Sequence, residues 1–489
     1  MSNMALNLTL YSPEIILCLT LCFALIIQMV ARQDQLTLWT VLIGLTVAAI
    51  DTISLYHYPP QFFFSNHLSH DPFSLFFKLL FITVTFFTCL FGYRSLEVAA
   101  QRRSEFYLMI LAVTVGMCTL VSSINLLTLY LSLELVSIVS YALAGLKKED
   151  SFSNEAAIKY LLYGALASGT MLWGISLLYG LSGSLNLYSI HATLGSNYID
   201  ALSLYAIVMM LLFGFGFKMA MVPFHMWAPD VYQGAPTPVA AFFTVAPKAA
   251  GFAFFIRVFY ILFANPGDPE WTLLPHLDWP FLLSILAAIT MTLGNLSALF
   301  QKNTKRMLGY SSIAHAGYML MGFAVFNRQG LAAILFYLVV YFFMNFGAFY
   351  VVGLISNTFK DEKVSHFKGL GWKSPLMCVA MSIFLLSLTG IPPFGGFIGK
   401  LYLFAALVKA EIYWLLIIAI INVVISLYYY AYIIREMFLE KPVTDTAVPL
   451  TPIHTATLAF LAVPILILGI YWEPLYNYIT LSLQFVISP

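Results

Sequence analysis

Charge is what this sequence has least of. Asp, Glu, Lys and Arg make up 9% of its 489 residues, against 61% hydrophobic, whereas a soluble domain is roughly a quarter charged. That excludes water as its main solvent. Cysteine is sparse as well. Cys18, Cys22, Cys89, Cys118 and Cys378 all lie in apolar runs, and no Cys-x-x-Cys pair or His/Cys cluster has the spacing that holds zinc, haem or an iron–sulfur cluster. They read as small hydrophobes. A glycine-rich nucleotide fingerprint is missing too. No cofactor and no metal is therefore expected in this chain, and any redox chemistry belongs to other chains. The net charge of +1 offers neither a basic patch for nucleic acid nor an acidic tail. The opening stretch MSNMALNLTLYSPE lacks the positive start of a cleaved signal peptide, so the first apolar run is expected to stay as a span.

What the sequence has in abundance is long apolar runs. Backbone groups left unpaired in hydrocarbon are costly, so such a chain crosses a bilayer as helices or as a closed barrel. Barrel strands alternate apolar and polar residues, but residues 202–217 and 376–388 are apolar on every face, which decides for helices. Runs of about twenty residues predict fourteen spans, beginning near residues 13, 36, 72, 106, 125, 157, 202, 238, 280, 308, 331, 375, 412 and 453. The basic residues check this count, because Lys and Arg gather on the cytoplasmic side. With the N-terminus outside, fifteen fall in inward loops and only Arg328 and Lys409 in outward ones. Lys78, Lys159, Lys218, Lys248, Arg257 and Lys400 fall inside spans. An error of one span would destroy this asymmetry. The expectation is an all-α polytopic protein of a bacterial inner membrane, with both termini periplasmic.

Two spans are interrupted. The seventh runs into VPFHMWAPDVYQGAPTPV and the twelfth into LTGIPPFGGFIGK, where prolines remove backbone donors and glycines permit turns. A single proline would be an ordinary kink. Two multiply broken helices, five spans apart and therefore running in opposite directions, fit two inverted five-helix repeats, spans four to eight and nine to thirteen. Breaks at matching places in inverted halves point to a transport path. The chain then divides into an N-terminal three-helix segment (1–105), a first repeat (106–265), a second repeat (280–440) and a C-terminal helix and tail (441–489).

Glu134, Lys218 and Lys248 fall near the middle of their spans, and Lys400 follows the second break. A central charge costs about 2.5–3.5 kcal/mol on insertion scales, so four of them are not required by packing alone. The alternatives are snorkelling to the interface or a fixed ion pair. Depth argues against snorkelling for the central three, whereas Lys159, near its helix start, can reach the headgroups. Arg257 and Lys78 are expected to be structural, and Arg is in any case a poor proton carrier. Lysine suits proton transfer because burial favours the neutral amine and a nearby carboxylate favours the ammonium. Movement of Glu134 relative to Lys218 can therefore load or release a proton. His225 and His315 are candidate relays between the lysines, or satisfied structural histidines.

The stretch KMAMVPFHMWAPDVYQGAPTPVAAFFTVAPK resembles the hallmark segment of the antiporter-like subunits of respiratory complex I, the proton-pumping NADH:quinone oxidoreductase, and GIPPFGGFIGKLY is similar to that family's second broken helix. The likeness covers essentially the whole chain, including the order Glu, Lys, Lys, Lys. It implies two inverted five-helix repeats and pumping driven by quinone reduction in partner chains. Those partners are the other membrane subunits and, through them, an NADH-oxidising arm, with FMN, iron–sulfur clusters and quinone in the assembly. It also implies functional roles for Glu134, Lys159, Lys218, Lys248 and Lys400. Glu134 and Lys218 would be the input pair, Lys159 its modulator, Lys248 the central relay and Lys400 the outlet. Within the family, PFHMWAPDVYQGAP is most like one of the three antiporter-like subunits. A second typically carries a carboxylate where Lys400 stands, and a third continues into a long lateral helix for which the end at Pro489 leaves no room. Lys78 receives no role. A cation/proton antiporter subunit of the Mrp type would use the same lysines without a redox partner, and a passive scaffold would merely pair the charges.

Overall fold

The computed structural model describes residues 2–196, 200–264, 278–442 and 446–483. Among them, twelve helices are long and apolar enough to cross a membrane. Numbered by crossing, α1 is Ser12–Ala31, α2 Asp34–Ser54, α3 Pro72–Arg94, α4 Arg103–Ser122, α5 Leu126–Ala144 and α6 Ser151–Ser182. The first half of the seventh, α7a, is Ala201–Met219, and α8 is Thr237–Phe263. They are followed by α9 (Trp279–Leu299), α10 (Thr304–Ala324), α11 (Arg328–Tyr341, continued by Gly347–Phe359), α12a (Pro375–Thr389), α12b (Gly395–Lys409), α13 (Tyr413–Phe438) and α14 (Pro452–Ile470). The two expected spans outside the twelve are α10, whose first turn carries Lys305 and Arg306, and the broken α12. Short helices at Ser2–Leu10, Leu187–Ser196 and Glu473–Ser482, and a hairpin pairing Gln61–Phe63 with Leu68–His70, were not foreseen from the apolar runs.

Local chemistry sets the helix ends. Asp71 caps α3 by accepting from the Ser74 amide, with Pro72 in the first turn; Asn125 caps α5 and Asp150 caps α6. The two breaks are built alike. α7a ends on Ala220 in the left-handed conformation (φ +57°), and the chain resumes helix at Ala228–Gly234. α12a ends on Gly390 at φ +89°, where a side chain would be strained, and resumes at α12b.

All residues of α8 are buried except Ile261, which is partly so. It is the axis around which the bundle packs, in contact with α3, α7a and α11. The outer helices expose apolar side chains such as Phe23, Trp39, Leu162, Trp173 and Val424, as lipid-facing surfaces do. Depth inside this bundle is what gives the lysines on α7a, α8 and α12b their unusual surroundings.

Candidate functional site

Glu134 sits midway along α5, half-buried, and Lys218 in the last turn of α7a, buried beside the break. Lys218 Nζ and Glu134 Oε1 each lack a hydrogen-bond partner among the described residues. Among the described residues no hydrogen bond or ion pair joins them. In a low-dielectric interior a small approach of a carboxylate and an ammonium changes their interaction strongly. Lys159 is not part of that pair. Its ammonium lies 2.6 Å from both Asp230 and Glu155, and Asp230, on the short helix after the α7 break, also accepts from Arg306 at 2.5 Å. Lys159 is thus tied to the short helix after the break, and no described contact joins it to Glu134.

Lys248 has no carboxylate partner among the described residues. It donates to the Ser312 carbonyl at 2.7 Å and to the Ser312 hydroxyl at 2.9 Å, on α10. One turn further along α10, His315 joins Tyr337 through Nδ1 at 2.7 Å and Tyr430 through Nε2 at 3.2 Å; Tyr430 is also hydrogen-bonded to Ser311. The His315 ring lies 5.8 Å from that of Tyr318, and the Lys400 ammonium stands over the Tyr318 ring, 4.4 Å from its centroid. Lys400 donates to the carbonyls of Leu388 and Thr389, at 3.0 and 2.8 Å. These are the last carbonyls of α12a, freed by the break, so the break itself makes the seat for the lysine. A run of basic and hydroxyl groups thus extends from Lys248 through Ser312, His315 and Tyr318 to Lys400.

His225 stands apart. It is buried in the α7 break, and among the described residues its Nδ1 has no partner and no contact joins it to a lysine. Of the two histidines singled out from sequence, only His315 is connected. Lys78 and Arg257 each hold a carboxylate: Lys78 lies 2.8 Å from Glu14, and Arg257 binds Asp71 through both nitrogens of its fork. Neither acid was singled out from the sequence, although Glu14 is a lone carboxylate inside an apolar run. Lys305, counted above as a loop charge, lies in the first turn of α10, fully buried between Glu97 at 3.5 Å and Glu362 at 3.1 Å. Among the described residues no group of three or more His, Cys, Asp or Glu is placed to hold a metal ion.

A family profile described as NADH:quinone oxidoreductase/Mrp antiporter, TM, matches residues 123–426. The chain belongs to this family. The matched segment takes in every group from Glu134 to Lys400. A protein of Anaeromyxobacter sp. (strain Fw109-5), named NADH-quinone oxidoreductase subunit N, is 41% identical over 97% of this chain and 96% of its own. A chain of respiratory complex I from Thermus thermophilus is 32% identical, with a TM-score of 0.80 over 95% of this chain and 98% of that one. A chain of the Mrp complex from Dietzia sp. DQ12-45-1b shares the fold, with a TM-score of 0.84 at 20% identity over 97% of each chain. The family likeness drawn from the two broken-helix motifs is borne out, and subunit N is the member whose motif PFHMWAPDVYQGAP resembles.

Proposed function

We propose that the chain is a proton-translocating membrane subunit of an NADH:quinone oxidoreductase, lying in a bacterial inner membrane with both termini periplasmic. The observation that carries this reading is a contrast among buried cations. Among the described residues, Lys78, Lys305 and Arg257 are held by carboxylates, whereas Lys248 and Lys400 rest on neutral oxygens and Lys218 on none. A buried ammonium beside a carboxylate is fixed in its charge, while one that meets only dipoles can be held in either state. The second kind suits a proton carrier. On this reading Glu134 and Lys218 load the proton and Lys248 is the central station. Ser312 and His315, with Tyr337 and Tyr430, bridge to Lys400, which releases it. Lys159 tunes the input through Asp230.

The two inverted repeats, α4–α8 and α9–α13, would each contribute one broken helix to this path. The catalytic label belongs to the assembly: partner chains carry NADH oxidation, FMN, iron–sulfur clusters and quinone reduction, and the nearest partners are the other membrane subunits. In assembled complex, Lys218→Met and Lys248→Met are expected to retain assembly and lose quinone-coupled proton pumping by about tenfold or more, since each removes an essential carrier. Parental pumping in either variant would overturn the reading. The Dietzia likeness keeps a cation/proton antiporter as the rival. Co-purification of NADH-oxidising and iron–sulfur subunits with the chain decides for the oxidoreductase. Sodium-dependent transport with no dehydrogenase attached decides for the antiporter.

A further inference from the structure

α11 is not a plain helix. Between Phe342 and Phe346 its backbone widens into a π-helical turn, a feature that inserts an extra residue into the ladder and is frequent at functional sites. The neighbouring part of α8 is interrupted as well. Pro247 lacks an amide proton, so the Phe243 carbonyl loses its helical donor. A side-chain contact joins the two interruptions: Asn345 Nδ2 donates to Thr244 Oγ1 at 2.7 Å, and Thr244 donates in turn to the Ala241 carbonyl at 2.9 Å. Asn345 is fully buried and, among the described residues, its Oδ1 has no hydrogen-bond partner. An amide oxygen left bare in a low-dielectric interior is costly, and an apolar side chain would fill the space without it.

Thr244 and Lys248 are four residues apart on one helix and so share a face. Side chains on a helix lean toward its N-terminus, which carries the Lys248 ammonium back toward the level of Thr244. That ammonium is seated on Ser312 of α10, while the Asn345 amide, whose oxygen is bare, is held by its nitrogen on Thr244 from α11. The same helix reaches the relay: the Tyr341 ring, four residues before Asn345, lies 5.3 Å from that of His315.

We propose that Asn345 is a positioning residue whose amide oxygen is the alternate acceptor for the Lys248 ammonium, so that the lysine moves between a seat on α10 and a seat on α11. The proposal rests on Lys248 being a proton carrier. In assembled complex, Asn345→Leu is expected to lower quinone-coupled pumping about tenfold, the loss that follows removal of a hydrogen bond to a charged group. Asn345→Gln, which restores an amide, recovers most of it; a role in helix packing alone would not distinguish the longer amide from the leucine in this direction. If the leucine variant does not assemble, Asn345→Ala is read in its place, with the same loss expected. Parental pumping in an assembled Asn345→Leu or Asn345→Ala complex, or no recovery with Asn345→Gln, overturns the proposal. If Lys248→Met also pumps normally, the proton path itself fails. If Lys248→Met is inactive and the Asn345 variants are normal, only the second seat fails.

Discussion

Arg257 grips Asp71 with two parallel hydrogen bonds, of 2.8 and 2.9 Å, and both side chains are fully buried. Asp71 also accepts from the Ser74 amide at 2.7 Å and the Ser69 hydroxyl at 2.6 Å. One carboxylate thus ties the start of α3 to the far end of α8. A guanidinium keeps its proton at any accessible pH, so this contact is expected to tie the helices together and not to carry protons.

Arg257→Met leaves the Asp71 carboxylate buried without its partner, a loss of about 3–5 kcal/mol for a broken buried pair. The expected outcome is less assembled complex and a lower unfolding temperature, with pumping per assembled complex unchanged. Arg257→Lys falls between, because a lysine cannot reproduce the two-pronged contact. Thermal unfolding and proton pumping measured on the same preparations check this. A variant as stable as the parent that does not pump would make Arg257 part of the path.

The crossings were legible in the sequence because lipid demands apolar residues all around a helix, and each predicted run coincides with a helix. The breaks in α7 and α12 were legible for a different reason: Pro and Gly act on the backbone where they stand, whatever the tertiary packing. Partners were not. Nothing in YSPEIIL says that Glu14 meets Lys78 of α3, and nothing in QKNTKR says that Lys305 is enclosed by Glu97 and Glu362 from two other loops. Such pairings are made by the packing of distant segments. The π-helical turn is also invisible, since nothing in FFMNF sets it apart from ordinary α-helical sequence.

Glu97, in the loop after α3, holds the opposite end of α8. Burial alone would raise its carboxyl, but Lys305, Lys147 and the hydrogen bonds from the Thr237 hydroxyl and amide, at 2.5 and 2.8 Å, outweigh this and hold it down at about 2. A carboxyl depressed in the folded state contributes stability that is complete above its ordinary value of 4.5 and is lost as pH falls toward about 2. At about 1.4 kcal/mol per unit, Glu97→Gln is expected to lower the unfolding free energy by about 3 kcal/mol near pH 7. The difference should stay level down to about pH 5 and narrow below it. Denaturation of parent and variant in detergent across this range checks the sign; a gap already closing near neutral pH would assign the effect to another group.

Lys78 and Glu14 give the sharpest test of the distinction between fixed and mobile charge. They lie 2.8 Å apart, both essentially inaccessible, in the N-terminal three helices. Glu14→Leu alone strands an ammonium in the bundle, at about 3–5 kcal/mol. Glu14→Leu with Lys78→Leu removes both charges and leaves apolar side chains in an apolar setting, a replacement that is often neutral or stabilising. The single variant is therefore expected to assemble poorly, and the double variant to recover stability and pump at the parental rate. A double variant that assembles fully but fails to pump would place Lys78 among the carriers. A carboxylate neighbour would then not be enough to hold a buried lysine out of the proton path, and the contrast that singles out Lys218, Lys248 and Lys400 would lose its force.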